Sequence, residues 1–135
     1  FQFAGALHTY FLVRDVRSTL IEGLSGVRYA DRAGGGFVEG VQSQDPIAFA
    51  GEVDRVYYDA PENVIIREPD RSISVMGRGF PDVVVWNPGP VMGAKMSDLE
   101  PEGYLRMVCV EAAAVGQPIT VEPQATWLGA QIVRV

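Results

Sequence analysis

Tyr104-Leu-Arg-Met-Val-Cys-Val-Glu-Ala-Ala-Ala114 is apolar apart from Arg106 and Glu111, and Gly103 and Gly116 bound it. A run of this kind between turn-forming glycines reads as a β-strand inside a core. A carboxylate near the centre of such a strand must be paired, solvated by a cleft or shifted in pKa, because a dry, unpaired charge is costly. Two readings of Glu111 stand on this evidence. It is a functional group in a cleft, or it is one half of an ion pair with a nearby arginine.

The flanking sequence is of the same character. Val83-Val-Val-Trp86 is a second continuous apolar run, consistent with a strand buried on both faces and stopped by Asn87-Pro-Gly-Pro90. Residues 92–101 are predicted to hold one helical turn, with Ser97 or Asp98 as cap. Residues 119–122 and, after a turn near Pro123, residues 126–135 are predicted strands. Upstream, residues 3–13 are rich in β-favouring side chains and predict one long strand. Its alternation puts Ala4, Ala6, His8 and Tyr10 on one face, and Leu7, Thr9 and Phe11 on the other. Short strands follow at 18–22 and 27–30, then a glycine-rich loop over 31–45. Residues 51–58 place Glu52, Asp54, Val56 and Tyr58 on a common face, with Arg55 turned the other way. A hairpin of 63–68 and 73–77 turns at Pro69-Asp-Arg-Ser72. Closely alternating strands and turns without a sustained amphipathic helix predict an all-β, antiparallel sandwich or barrel in one domain.

Composition excludes several functions. Hydrophobic residues make up 47% of the 135, which rules out a disordered chain. The net charge of −6, with no lysine- or arginine-rich run, argues against nucleic acid and anionic membranes as partners. No apolar run is long enough for a membrane-spanning helix, and no signal peptide is visible. Cys109 is the single cysteine, so an internal disulfide is excluded and a reducing, cytoplasmic location is expected. Inside the apolar run it reads as a buried small hydrophobe. One histidine and one cysteine do not make a typical zinc site, and no cofactor is expected. The chain opens Phe1-Gln-Phe3, straight into a strand-like run and without methionine, which suggests a processed chain or a fragment.

Five blocks occur in order: Ala6-Leu-His-Thr-Tyr-Phe11, Gly51-Glu-Val-Asp-Arg-Val-Tyr57, Val84-Val-Trp-Asn-Pro88, Met96-Ser-Asp98 and Met107-Val-Cys-Val-Glu111. Together they resemble the hexose-6-phosphate mutarotases (glucose-6-phosphate 1-epimerases), a branch of the aldose 1-epimerase-like group. The resemblance covers nearly the whole chain, but only the carboxy-terminal half of the family's domain. It implies a β-sandwich of the galactose-mutarotase (supersandwich) type that interconverts the α and β anomers of a hexose 6-phosphate. It further implies His8 as general acid, Glu111 as general base and Asp54 as a holder of a sugar hydroxyl, with no metal or redox cofactor required. The arginines that grip the phosphate are expected in the amino-terminal half. Arg14, Arg55 and Arg106 match none of those positions.

The resemblance also narrows the reading of the opening strand: Met107, Cys109 and Glu111 should share the cleft side, with Val108 and Val110 in the opposite packing layer. Trp86 reads as core, and Trp127 as either core or sugar contact. Departures fall in loops: Gly89-Pro90 follows Trp86-Asn-Pro88 where an aromatic is usual, a lysine is delayed to Lys95, and Pro123-Gln-Ala125 replaces a Pro-Gly turn. They bear on substrate preference. The alternative function is a sandwich that binds carbohydrate, or serves structurally, without catalysis. Either way, exposed edges predict pairing with the other half of the domain or with a second copy.

Overall fold

The computed structural model of the chain describes residues 1–42 and 46–135. Among them, twelve strands form two antiparallel sheets. In chain order these are β1 (Gln2–Leu7), β2 (Tyr10–Leu12), β3 (Leu20–Glu22), β4 (Arg28–Asp31), β5 (Val38–Val41) and β6 (Ile47–Ala48). There follow β7 (Val53–Tyr57), β8 (Asn63–Arg67), β9 (Ser72–Arg78), β10 (Asp82–Asn87), a short helix α1 (Gly89–Gly93), β11 (Met107–Thr120) and β12 (Ala130–Arg134). The larger sheet runs β1-β11-β10-β7-β4-β5, with β2 also paired to β11, and the smaller runs β12-β9-β8-β3-β6. This is the all-β antiparallel sandwich expected. No helix among the described residues is long and apolar enough to cross a membrane.

Alternation decides which sides of the sheets meet. Val108 and Val110 of β11, Val83 and Val85 of β10, and Val53 and Tyr57 of β7 join one buried cluster with Val64, Ile66, Ile73 and Val75 of the smaller sheet. The residues between them turn to the outer face: Cys109 and Glu111 on β11, Val84 and Trp86 on β10, Asp54 and Val56 on β7. Burying each valine is worth about 1.5–3 kcal/mol. Slipping β11 by one residue would exchange Val108 and Val110 for Cys109 and Glu111 in the core, so the hydrophobic pattern fixes the register.

The opening strand begins and ends later than its glycines suggest. Residues 104–106 belong to a 3-10 turn, Gly103–Arg106, and β11 starts at Met107. Buried Asn87 sets that boundary, its side-chain amide donating to the carbonyls of Tyr104 and Met107, each at 2.8 Å. Gly116 does not terminate the strand. A Cβ there would lie 2.6 Å from Tyr58 Cδ1, so glycine serves the close approach of that ring. The carboxylate of Asp82 accepts the N–H groups of Val115 (2.8 Å) and Gly116 (2.7 Å), supporting β11 beyond its last β10 pair at Ala113. Ile119 and Thr120 then pair with Phe3 and Gln2, so the separate strand expected over 119–122 is the tail of β11.

Other boundaries shift for local reasons. The long strand expected over 3–13 is two strands, because the Thr9 N–H turns back to the Leu7 carbonyl at 2.8 Å. Asp15 caps a 3-10 turn at Val16–Ser18, delaying β3 to Leu20. The loop expected over 31–45 contains β5, which pairs with β4 at the sheet edge; residues 43–45 lie outside the described residues. An edge strand is exposed on most positions, so its alternation is faint. The helical turn starts ahead of the expected 92–101, at Gly89, and overlaps it only at 92–93, with Pro90 in its first turn, where a missing N–H costs nothing. Its N-cap is Pro88 rather than Ser97 or Asp98. The last strand starts at Ala130, not at 126.

Candidate active site

The site grows out of the register of the larger sheet. Across β7, β10 and β11, Val56, Val84 and Glu111 lie in one row and Asp54, Trp86 and Cys109 in the next. β1 and β2 hold a common register on β11, with Leu7 opposite Ala112 and Tyr10 opposite Cys109. The unpaired interval between them therefore leaves His8 facing Glu111. His8 Nδ1 stands 3.4 Å from Glu111 Oε1. The imidazole is 52% exposed and the carboxylate side chain 5%, so the pair has one wet and one sheltered member. The His8 ring stacks on Tyr10 at 4.9 Å and meets the edge of Trp86 at 5.7 Å, which orients it above the sheet.

Asp54 lies on the same face, and Arg55 points away from it, as alternation predicts. Arg55 instead binds Asp31 at 2.7 Å and covers the Tyr29 ring. The partner of Asp54 is Arg32, whose guanidinium lies 3.6 Å from Oδ1 and whose backbone N–H donates to the Asp54 carbonyl at 2.8 Å. His8, Glu111, Asp54, Arg32 and Trp86 line one open cavity of about 390 Å3, with Gly5, Ala6, Val84 and Val115 completing its wall. That volume suits a monosaccharide-sized ligand. The small side chains at Gly5 and Ala6 leave the space beside His8 open. A larger hollow of about 670 Å3 adjoins it at Val115. Of its charged groups, Arg28 pairs with Asp59 and Asp82 accepts backbone amides, and among the described residues it holds no imidazole–carboxylate pair like His8 and Glu111. The smaller cavity is therefore the better candidate for chemistry.

Burial pushes the Glu111 carboxyl above its ordinary pKa. The charge of His8 opposes that shift, Asp54 reinforces it, and Arg32 opposes it. Burial likewise raises Tyr10 and, assisted by the charge of Glu111, Cys109. The Cys109 thiol is thus held protonated and fully buried, as a small hydrophobe would be.

Of the residues singled out in the sequence, His8, Glu111 and Asp54 come together, and Met107, Cys109 and Glu111 share the outer face while Val108 and Val110 enter the core. The ion-pair reading of Glu111 is replaced by its pairing with His8. Trp86, read as core, packs against the small buried cluster of Val56, Val84 and Ala113 and also lines the site, because it lies two residues beyond Val84 on the same face and Asp54 is its neighbour on β7. Trp127 packs on Phe3 and Phe80, away from the site. Arg14 binds Asp70 at 2.7 Å and does not reach the cavity. Arg32 was missed. Only the β4–β7 pairing, which sequence alone does not supply, carries it beside Asp54. A donor triad went unnoticed as well: one ligand atom each of His8, Cys109 and Glu111 lie within 4.8 Å of one another.

A sequence model of the family described as aldose 1-epimerase matches residues 1–134. The chain is 40% identical over 133 residues to a Cenchrus ciliaris protein named "Putative glucose-6-phosphate 1-epimerase", covering 96% of this chain and 40% of that one. It is 34% identical over 137 residues to an Escherichia coli (strain K12) protein of the same name, covering 100% and 46%. A crystal structure titled as a "putative mutarotase (YeaD)" from Salmonella typhimurium superposes with a TM-score of 0.79 at 34% identity, over 87% of this chain and 40% of that one. The structure of HI1317, at 22% identity, shares the fold with a TM-score of 0.79 over 98% and 47%. The chain thus spans less than half the length of the relatives it matches.

Proposed function

The chain belongs to the aldose 1-epimerase family, and from that premise we propose that it supplies the acid-base face of an enzyme interconverting the α and β anomers of a hexose 6-phosphate. The observation that carries this reading is the His8–Glu111 pair, 3.4 Å apart on the wall of an open cavity. Mutarotation opens the hemiacetal ring, turns the exposed aldehyde about the bond from C1 to C2, and closes the ring on its other face. Opening needs a base on the anomeric hydroxyl and an acid on the ring oxygen, and closure reverses both. Glu111 takes the hydroxyl proton. The O–H electron pair forms the carbonyl at C1, the bond from C1 to the ring oxygen breaks, and protonated His8 delivers a proton to that oxygen.

Position and environment suit each role. A carboxylate sheltered on a central strand is a stronger base than one in water, because burial raises its proton affinity. An imidazole open to solvent exchanges its proton readily between turnovers. Asp54 is placed to accept a hydrogen bond from a sugar hydroxyl, and Arg32 holds its carboxylate in the cavity wall.

The preference for a 6-phosphate rests on the names of the relatives and on the five ordered blocks. The phosphate grip is assigned to residues beyond the 135, on the reading that the chain, which spans less than half the length of these relatives, forms the carboxy-terminal half of a longer domain. Exposed apolar side chains at sheet edges support that assignment: Leu12 beside β11, and Phe37 and Val38 at β5. The other half of the domain, or a second copy, would cover them.

Anomer-exchange NMR on glucose 6-phosphate and on glucose tests the reading. Exchange above the buffer rate, lost in Glu111→Gln and faster for the phosphate ester, is the expected result. Exchange unaffected by Glu111→Gln overturns the assignment of the base. Binding of the sugar without any exchange would make this a non-catalytic carbohydrate-binding sandwich.

A further inference from the structure

Cys109 has no part in the mechanism above, yet it sits in the row next to Glu111 on the site face, opposite Tyr10. We propose that His8, Cys109 and Glu111 together bind a thiophilic divalent cation of the zinc class, and that its binding silences the acid-base pair. The second half of this statement rests on the proposed function, and the first does not.

One donor atom from each residue lies within 4.8 Å of the other two. Bonds of about 2.0–2.3 Å in a tetrahedral zinc site put neighbouring donors roughly 3.3–3.8 Å apart. The edge from His8 to Glu111 is already there, at 3.4 Å. The remaining edges have to close by at most about 1–1.5 Å to reach tetrahedral spacing. His8 is the part able to move, because it is half exposed and lies where β1 and β2 leave β11 without ladder pairs. Its ring can swing aside to admit an ion and return over it without opening the sheet.

Donor chemistry selects the ion. A sulfur, an imidazole nitrogen and a single carboxylate favour zinc or cadmium over magnesium or calcium, which prefer all-oxygen shells. Charge points the same way. A thiolate and a carboxylate neutralise a dication, so the complex places no net charge in a sheltered site. Coordination requires a thiolate and a neutral imidazole: the cation forms bonds to Cys109 Sγ and to a His8 ring nitrogen, and the thiol proton, together with the imidazolium proton when His8 carries one, leaves to solvent. Without a cation the buried thiol is inert. His8 and Glu111 line the cavity while Cys109 lies beneath it, so a fourth ligand would come from the cavity side. Bound in this way, Glu111 and His8 have their proton-handling atoms occupied.

The test is cobalt titration of the protein, followed by its near-ultraviolet thiolate-to-cobalt charge-transfer band. The band should appear, release at least one proton per ion and be displaced by zinc but not by magnesium. It should vanish in Cys109→Ala, and affinity should fall by at least about 10- to 100-fold in His8→Gln, whose side chain is exposed and whose replacement leaves the core intact. No band in the wild-type protein, or wild-type affinity in His8→Gln, overturns the proposal. In anomer exchange, zinc should inhibit the wild-type protein and leave Cys109→Ala at least about tenfold less sensitive. Equal sensitivity of the two overturns the inhibitory role. A band without anomer exchange would sink the catalytic reading and leave the cation site standing. Exchange without a band does the reverse.

Discussion

Glu111→Gln separates the electrostatics of the site from its packing, because glutamine keeps the shape of a side chain only 5% exposed and removes its charge. Loss of a general base should lower the anomer-exchange rate by about 10²- to 10⁴-fold. Stability should move the other way. Below the ordinary carboxyl pKa, Glu111 is neutral in folded and unfolded chains alike, and the two proteins compare like with like. As pH rises, the unfolded chain releases its proton first, while the folded chain keeps it up to the raised pKa that burial causes. Through that window the folded state binds more protons, so wild-type stability falls by as much as about 1.4 kcal/mol per pH unit. The variant has no such loss. Its stability relative to wild type should therefore rise between the ordinary and the raised pKa and level off above it. Urea midpoints for both proteins, from about pH 3.5 to about pH 8, measure the difference directly. A variant that instead loses ground to wild type as pH rises would mean that pairing with His8 outweighs burial. The carboxyl would then be held below its ordinary value, and the account of a strengthened base would be wrong.

Two neighbours should shift the acidic limb of the pH–rate profile in opposite directions. Asp54→Asn removes a charge that raises the Glu111 pKa and should move the limb to lower pH, whereas Arg32→Gln removes one that lowers it and should move the limb up. Movement of both limbs in one direction would contradict this electrostatic layout. Asp82→Ala should destabilise the chain by about 1–3 kcal/mol in urea unfolding, because it strips the acceptor from the Val115 and Gly116 amides. A change below about 0.5 kcal/mol would show that water replaces it. Gly89→Ala should lower the melting temperature, since a Cβ would lie 2.6 Å from the Glu52 backbone nitrogen at a φ of 62°; an unchanged melting temperature would disprove that clash.

How much of this was legible in the sequence depended on whether a side chain answers to its own strand or to a neighbouring one. Val108, Val110, Val83 and Val85 announce the core by composition, and alternation alone turns Glu111 and Asp54 outward. The tail of β11 was hidden because its continuity depends on the Asp82 carboxylate, from another strand, and on a ring that needs Gly116. β5 was hidden because an exposed edge strand has little hydrophobic contrast. Trp86 and Arg32 enter the site through pairings with β7, which local sequence does not encode. The partnership of His8 with Glu111 required the resemblance to known families, because the two stand 103 positions apart in sequence.

The interval between β1 and β2 has a mechanical meaning. Glu111 is clamped, its strand paired to β10 on one side and flanked by β1 and β2 on the other. His8 is suspended between two anchored segments like a plank between piers. Were residues 3–13 one unbroken strand, every excursion of the imidazole would strain the edge of the sheet. Here the excursion is confined to a side chain and a tight two-residue bend. Opening and closing the site can then proceed at the pace of a short loop, without a share in the global unfolding of the sandwich. Glu111 would keep its place while His8 moves, so under the proposed mechanism substitutions that soften residues 8–9 should alter turnover far more than they alter the stability of the fold.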